Sequence, residues 1–187
     1  MKKIIIIILT LIIPYWSISS NQNKTEEKSK LMSVEKLENA DNLFHSDRFY
    51  FSGQPSEETL SWLKNEGVEL VINLRAESEN AKHTKENFDE EKLVKSQGTI
   101  YVSLPLSSPE TYCPETVEKL AKAIEEHNGK ILIHCASCGR VTNLWMAYLI
   151  KFESFSVDEA IEVGKQLKFT FPLEDLLGKK ISMSIKE

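Results

Sequence analysis

The chain has no excess of basic residues, no internal repeat and few cysteines. Its formal net charge is −5 over 187 residues, and without a basic stripe a nucleic-acid footprint is not expected. The missing repeat excludes a solenoid or propeller, and the 41% hydrophobic content suits one compact domain. There are only three cysteines, Cys113, Cys135 and Cys138. In an exported protein this odd number leaves one of them free or paired between chains.

The N-terminus has the pattern of a targeting signal. Two lysines precede the apolar run Ile4–Ile13, in which Thr10 is the only polar residue. Small polar residues follow, and cleavage is expected near Ser17–Ser20. Because no cysteine ends the run, a lipoprotein anchor is not expected. We predict that residues 1–20 are a signal peptide and that the protein is periplasmic or secreted, with an uncleaved membrane anchor as the alternative.

The rest of the chain alternates between strand and helix patterns. Residues 21–42 are polar and are predicted to be a flexible linker, with a short helix possible around Val34–Ala40. Residues 43–187 then form one α/β domain, with a mainly parallel sheet flanked by helices. The first strand pattern begins at Phe49, and three further strand patterns lie at Val68–Leu74, Thr99–Leu106 and Lys130–His134. The helix patterns run from Ser56 to Gly67 and over Glu86–Gly98, Glu115–His127, Val141–Phe152, Ser156–Leu167 and Leu173–Leu177, with a polar loop at Arg75–His83 and a break at Phe169–Pro172.

The most informative stretch is Ile131–Arg140, in which an apolar strand ends in His-Cys and a loop of small residues leads to Arg140. A cysteine at a strand-to-helix turn faces converging N–H groups and the positive end of a helix, which stabilise a thiolate. The same cradle fits a tetrahedral oxyanion, and an arginine adds a planar fork of donors. Cys135 is therefore a candidate nucleophile, although a buried structural cysteine is the alternative.

A family resemblance is carried by four segments of the chain: Phe51–Pro55, Gly67–Arg75, Leu104–Leu106 and the stretch from His134 through Arg140 to Tyr148. The chain is similar to the cysteine-dependent protein tyrosine and dual-specificity phosphatases, and more narrowly to a bacterial phosphatase-like group, the DUF442 type associated with beta-lactamase-like hydrolases. The similarity covers about Phe44 to Gly164 and implies a three-layer phosphatase-like fold.

The loop after Cys135 departs from the typical tyrosine phosphatase pattern. Four residues, rather than five, separate Cys135 from Arg140, as is general in the narrower group. The third loop residue is usually glycine in that group, but here it is Cys138. If this position needs a positive φ, Cys138 is strained unless Gly139 takes over that conformation.

The resemblance also predicts an acid and a hydroxyl that this chain does not clearly supply. The acid loop of such phosphatases corresponds to Ser107–Pro114, which contains no aspartate. Glu110 is its only carboxylate and is the candidate acid, with Glu115 just after it. The hydroxyl that assists thiolate departure is either Ser137 or Thr142, and Thr142 has the alternative of bonding a helix carbonyl.

The resemblance implies hydrolysis of phosphomonoesters through a phosphocysteine, without metal or cofactor. Cys135 would attack phosphorus, and Arg140 would hold the phosphoryl oxygens. His134 is expected to orient the cysteine or to pack beneath the loop, and Arg75 either contacts substrate or lies on the surface. The expected phosphate-binding residues are Ala136, Ser137, Cys138, Gly139 and Arg140.

Three other functions fit the same thiol and loop. A persulfide-handling sulfurtransferase is favoured by the missing aspartate, and a redox protein by the C-x-x-C spacing of Cys135 and Cys138. In the redox case Cys113 is an alternative resolving partner. A catalytically dead module that binds an anion is the third. The expected partners are phosphorylated proteins or small phosphate esters, with no nucleic acid and no stable membrane insertion after cleavage, and oligomeric state is left open.

Overall fold

The computed structural model describes residues 25–38, 40, 42–168 and 173–181. Six strands form one sheet in the order β1-β2-β3-β6-β4-β5, in which β3, β6, β4 and β5 are parallel and β1 and β2 add antiparallel to one edge. The strands are β1 Glu35–Lys36, β2 Leu43–Ser46, β3 Phe49–Ser52, β4 Val68–Asn73, β5 Ile100–Ser103 and β6 Lys130–His134. The helices are α1 (25–32), α2 Glu57–Asn65, α3 Glu77–Glu86, α4 Glu90–Ser96, α5 Pro114–Glu125, α6 Gly139–Phe152, α7 Val157–Gln166 and α8 Glu174–Leu177, with a 3₁₀ turn at Pro109–Thr111.

Helices cover both faces of the sheet, which confirms the predicted three-layer α/β fold. In β6, Ile131 and Ile133 pack into the core shared with α5, α6 and α7, while Leu132 between them packs into the core shared with α2 and α4. This alternation explains why the central strands are apolar on both faces. Helix α6 is the most buried helix, with Trp145 fully inaccessible at its centre.

Helix α3 corrects a sequence expectation. The segment Arg75–His83 was expected to be a polar loop, yet Glu77–Glu86 is helical. None of its residues is buried, so it shows no apolar periodicity for a sequence pattern to detect. The carboxylates of Glu77 and Glu79 lie in its first turn, where the partial positive charge of a helix N-terminus stabilises them. Glu79 Oε2 also accepts a hydrogen bond from the Ala76 N–H (2.8 Å).

Part of the segment expected to be a linker is structured. The expected helix around Val34–Ala40 is wrong at its start, because Glu35–Lys36 pairs with β2 as a strand. In α1, Leu31 is buried in the main core and Lys28 forms an ion pair with Glu159 of α7. The predicted signal peptide and the break at Phe169–Pro172 lie outside the described residues. In the part of the chain that the structure describes, no helix is both long and apolar enough to cross a membrane.

Candidate active site

Cys135 lies where β6 ends, at the carboxyl edge of the parallel strands. Its backbone N–H donates to Ser52 O (3.3 Å) at the end of β3, and the preceding His134 O accepts from Leu74 N (2.9 Å) after β4. The cysteine itself is fully buried. The two neighbouring strands therefore fix the backbone on either side of the predicted nucleophile, at the edge where ligands of α/β sheets bind.

The loop after Cys135 packs against the turn after β3. Ser137 forms an isolated antiparallel bridge with Gly53, and Gln54 N donates to Ala136 O (3.1 Å). A Cβ on Gly53 would lie 3.0 Å from Ala136 O, so this close approach of two backbones favours glycine. Ala136 and Ser137 remain exposed, which leaves the outer side of the loop open to a ligand.

Cys138 adopts the left-handed backbone conformation, with φ 72°. Gly139 is the first residue of α6 and is helical, so it does not take over that conformation as the sequence allowed. Cys138 is also fully buried. Burial raises the pKa of its thiol to about 12, and the nearby Cys135 adds to this, so Cys138 is a neutral thiol at physiological pH.

Thr142 connects the loop to helix α6 through its hydroxyl. Its hydroxyl donates to Cys138 O (2.9 Å) and accepts from the Lys168 N–H (3.1 Å). The side chain is fully buried. Thr142 thus satisfies a helix carbonyl, the structural role that the sequence left open, and the hydroxyl of Ser137 in the exposed loop is the remaining candidate.

Arg140 is held in a two-pronged ion pair. Its Nη1 and Nη2 donate to the two carboxylate oxygens of Glu79 at 2.7 and 2.8 Å, and Nη1 also lies 3.3 Å from Leu74 O. The hydrogen bond from Arg140 lowers the pKa of Glu79 to about 2, and burial opposes this shift. The same bond raises the pKa of Arg140, burial opposes this shift, and Cys135 lies near enough to act in the same direction as Glu79. The guanidinium is therefore charged, close to Cys135 and fixed in its plane.

Beneath the loop lies a buried polar cluster that sequence patterns did not identify. Its centre is Glu90 at the start of α4, which is only 5% exposed. Glu90 Oε1 lies 2.9 Å from His134 Nε2 and accepts hydrogen bonds from Tyr101 (3.0 Å) and Asn73 (3.1 Å). The His134 N–H is poorly aligned for a regular hydrogen bond, so the two buried side chains make a close polar contact. His134 is fully buried beneath the loop, one of its two expected placements.

Arg75 is half-buried and contacts two neighbouring segments of the protein. Its Nη1 donates to the Gln54 side-chain oxygen and its Nη2 to Glu79 O (3.0 Å). The side chain of Gln54 in turn donates to Glu90. Arg75 therefore supports the turn after β3 and the start of α3. Sequence reasoning weighed substrate contact against the surface and missed this bracing role.

The predicted acid loop brings an aromatic residue, rather than a carboxylic acid, to the site. Glu110 is exposed, and a hydrogen bond from Ser108 lowers its pKa, so it is ionised at neutral pH and suits a proton donor poorly. Glu115 is also exposed, and its pKa is lowered by a hydrogen bond from Cys113. Burial raises the pKa of Tyr112, which also interacts electrostatically with Arg140 and Cys135.

Comparison with solved structures supports the fold. A candidate phosphatase (DUF442) from Shewanella putrefaciens CN-32 is 26% identical with a TM-score of 0.58, over 76% of this chain and 92% of that one. Pseudomonas aeruginosa TpbA in complex with pTyr is 17% identical with a TM-score of 0.54, over 71% and 76%. A candidate phosphatase from Neisseria meningitidis Z2491 is 19% identical with a TM-score of 0.54, over 65% and 84%.

The family assignment rests on a sequence profile. No curated protein matches the chain significantly. Among the described residues, His, Cys, Asp and Glu side chains form no group of three or more that could hold a metal ion. The profile described as DSP-PTPase phosphatase fused to NAD+ kinase matches residues 16–170, a span that includes the β6–α6 loop and the buried cluster beneath it. The chain therefore belongs to this family of cysteine-dependent dual-specificity-type phosphatases.

Proposed function

We propose that this phosphatase hydrolyses phosphomonoesters through a phosphocysteine formed on Cys135. The Cys135 thiolate attacks phosphorus, a sulfur–phosphorus bond forms, and the ester oxygen leaves with the bonding electron pair and takes a proton from solvent. Water then attacks phosphorus, which releases inorganic phosphate and restores the thiolate. Arg140 and the loop N–H groups hold the non-bridging oxygens throughout.

One observation carries this proposal: Cys135 and Arg140 flank a loop that ends at the N-terminus of α6. This helix has 14 residues, so its first turn presents unpaired N–H groups and a partial positive charge to an anion. The loop residues between them, Ala136, Ser137, Cys138 and Gly139, are the proposed phosphate-binding residues. The fixed plane of Arg140 suits two oxygens of a phosphoryl group.

The proposed substrates are aryl phosphates, with phosphotyrosine as the natural class. The carboxyl groups of the acid loop are exposed and ionised, so an ester whose leaving group needs little protonation reacts best. Phenols leave more easily than alkyl alcohols because a phenolate needs less protonation as it departs. The phosphotyrosine bound by P. aeruginosa TpbA is consistent with this choice, as is Tyr112, a half-buried aromatic ring beside the site.

We also propose that the enzyme works outside the cytoplasm, after removal of residues 1–20. The apolar run Ile4–Ile13 with its basic start supports this location. In an oxidising compartment the Cys135 thiol can be oxidised, which would abolish activity. Cys138, three residues later in the loop, is the nearest cysteine in sequence. All three cysteines are free thiols in the structure. Sulfur transfer and a redox function would use the same free thiols, so the test includes reductant and a sulfur-transfer assay.

The test is hydrolysis of p-nitrophenyl phosphate by the purified protein, with and without reductant. Turnover by the reduced protein should disappear in Cys135→Ser. It should persist in Cys113→Ser, which removes a thiol outside the loop between Cys135 and Arg140. Mass spectrometry of an acid-quenched reaction should place the phosphoryl group on Cys135. If the reduced protein shows no turnover but transfers sulfur from thiosulfate to cyanide, the phosphocysteine proposal is wrong.

A further inference from the structure

Glu90 is a buried carboxylate to which the proposed reaction assigns no direct chemical step. It lies at the first position of α4, with Asp89 as the N-cap residue. Burial disfavours its charge, but the imidazole of His134 and hydrogen bonds from Gln54 and Tyr101 hold its pKa at about 2. Glu90 is thus an anion beneath the active-site loop throughout the neutral range.

The partners of Glu90 lie on both sides of the nucleophile. His134 Nε2, 2.9 Å from its Oε1, belongs to the residue directly before Cys135. Gln54 donates from its side chain to Glu90 Oε2, and its backbone N–H donates to Ala136 O (3.1 Å), directly after Cys135. One carboxylate therefore connects to the residues that precede and follow Cys135.

The remaining contacts fix the carboxylate itself. Tyr101 OH and Asn73 Nδ2 both donate to Oε1, at 3.0 and 3.1 Å, and Asn73 also lies 2.6 Å from the Tyr101 hydroxyl. A buried ionic cluster adds little net stability compared with apolar packing of the same volume. The hydrogen bonds to Glu90, however, restrict where Gln54, Tyr101 and Asn73 lie, because moving one of these donors away leaves it and a carboxylate oxygen unpaired in the interior.

We propose that Glu90 is a positioning residue of the phosphatase reaction, which acts through His134 and Gln54 to set the orientation of Cys135 and the adjacent Ala136 carbonyl. Glu90 does not touch substrate; it works by keeping the thiolate in line with phosphorus. This inference rests on the proposed role of Cys135 as nucleophile. Small displacements of a reacting group reduce rate strongly, so the effect is expected in kcat rather than in KM.

The experiment compares Glu90→Gln with Glu91→Gln, its exposed neighbour, whose only described ion pair is with Lys95 on the surface. Kinetics on p-nitrophenyl phosphate are normalised to folded protein. We expect Glu90→Gln to lower kcat by about 10- to 100-fold, with KM within about threefold of wild type, and Glu91→Gln to leave both unchanged. An unchanged kcat per folded molecule, with only a lower melting temperature, would show a purely structural role and overturn the proposal.

A double-mutant cycle tests whether Glu90 acts on Cys135 through His134. If Glu90 acts through His134, the loss of kcat in Glu90→Gln/His134→Asn is smaller than the product of the two single losses. Independent, multiplicative losses would contradict that route. If Glu90→Gln does not fold, Tyr101→Phe removes one hydrogen bond from the carboxylate and should lower kcat about two- to tenfold, and an unchanged kcat there would overturn the proposal instead.

A spectroscopic readout separates this inference from the proposed function. The ¹⁵N chemical shifts of the His134 ring report its partner without any turnover. They should move in Glu90→Gln and stay constant in Glu91→Gln. If wild type does not hydrolyse the ester, the phosphatase mechanism fails whatever these shifts show. If wild type is active and neither kcat nor the shifts respond to Glu90→Gln, only the positioning role fails.

Discussion

Replacing Glu79 by glutamine tests the ion pair that holds Arg140. The substitution keeps the shape of the side chain but leaves a single acceptor oxygen for a guanidinium that now uses two, at 2.7 and 2.8 Å. The remaining oxygen must also serve the Ala76 N–H, which donates to Glu79 at the start of α3 (2.8 Å). We therefore expect both a less stable protein and a less well oriented arginine.

The magnitude follows from the pKa of Glu79, which the fold lowers from 4.5 to about 2. A shift of that size corresponds to roughly 3 kcal/mol. The Glu79 side chain is 33% exposed, so solvent screening reduces the expected loss to about 1–2 kcal/mol. Because the folded pKa is the lower one, this stabilisation is complete above pH 4.5 and disappears as the pH falls through about 2.

The assay is urea unfolding of wild type and Glu79→Gln between pH 7 and pH 2. The two free energies of unfolding should differ by about 1–2 kcal/mol at pH 7 and converge near pH 2. Glu90 and Glu159 also have pKa values near 2, but both proteins contain them, so the difference isolates Glu79. The exposed Glu77→Gln in the same helix turn is the control and should change stability by less than about 0.5 kcal/mol.

Kinetics provide the second half of this test. Arg140 released from Glu79 should hold phosphate less well, so kcat/KM for p-nitrophenyl phosphate should fall by about 10- to 100-fold, or about 1.4–2.8 kcal/mol of transition-state stabilisation. A stability difference that stays constant down to pH 2 would refute the reasoning about the ionised carboxylate. An unchanged kcat/KM would refute the role of the pair in orienting Arg140.

Two further predictions concern backbone conformation. Because Cys138 has φ 72°, Cys138→Gly should be more stable than Cys138→Ala by about 1 kcal/mol in urea unfolding, and the reverse order would contradict a left-handed conformation there. Gly53→Ala places a Cβ 3.0 Å from Ala136 O and should lower kcat several-fold by displacing the loop. Gly67→Ala is the control: an added Cβ meets no atom there, but the residue has φ 90°. This variant should lose about 1 kcal/mol of stability and keep the kcat of wild type. If both alanine variants lowered kcat equally, a specific contact at Gly53 would be contradicted.

The parts of the fold that bury apolar residues could be predicted from sequence. The strand patterns at Val68–Leu74 and Lys130–His134 and the helix pattern at Val141–Phe152 agree with β4, β6 and α6 within two residues. Each of these elements buries most of its length. Burial on one or both faces leaves a regular apolar pattern, which is the signal that sequence reasoning detects.

The parts that could not be predicted depend on polar contacts between distant segments. Helix α3 buries none of its residues, and Glu79 meets Arg140 across 61 positions of the chain. Glu90 meets His134 across 44 positions. Neither carboxylate stands in a motif, because a polar residue that serves a remote partner leaves no local periodicity.

The sequence by itself determined the layered α/β fold and the candidate nucleophile and anion loop, since strand burial, helix amphipathicity and the Cys135-to-Arg140 spacing are local properties of the chain. Tertiary structure alone decided that Cys138 rather than Gly139 has a positive φ, that Thr142 supports the loop and Arg75 the turn after β3, and that Glu79 and Glu90 hold Arg140 and His134. These contacts depend on which strands end side by side at one edge of the sheet. The strand order β3-β6-β4 decides this, and it brings together side chains that lie far apart in the sequence.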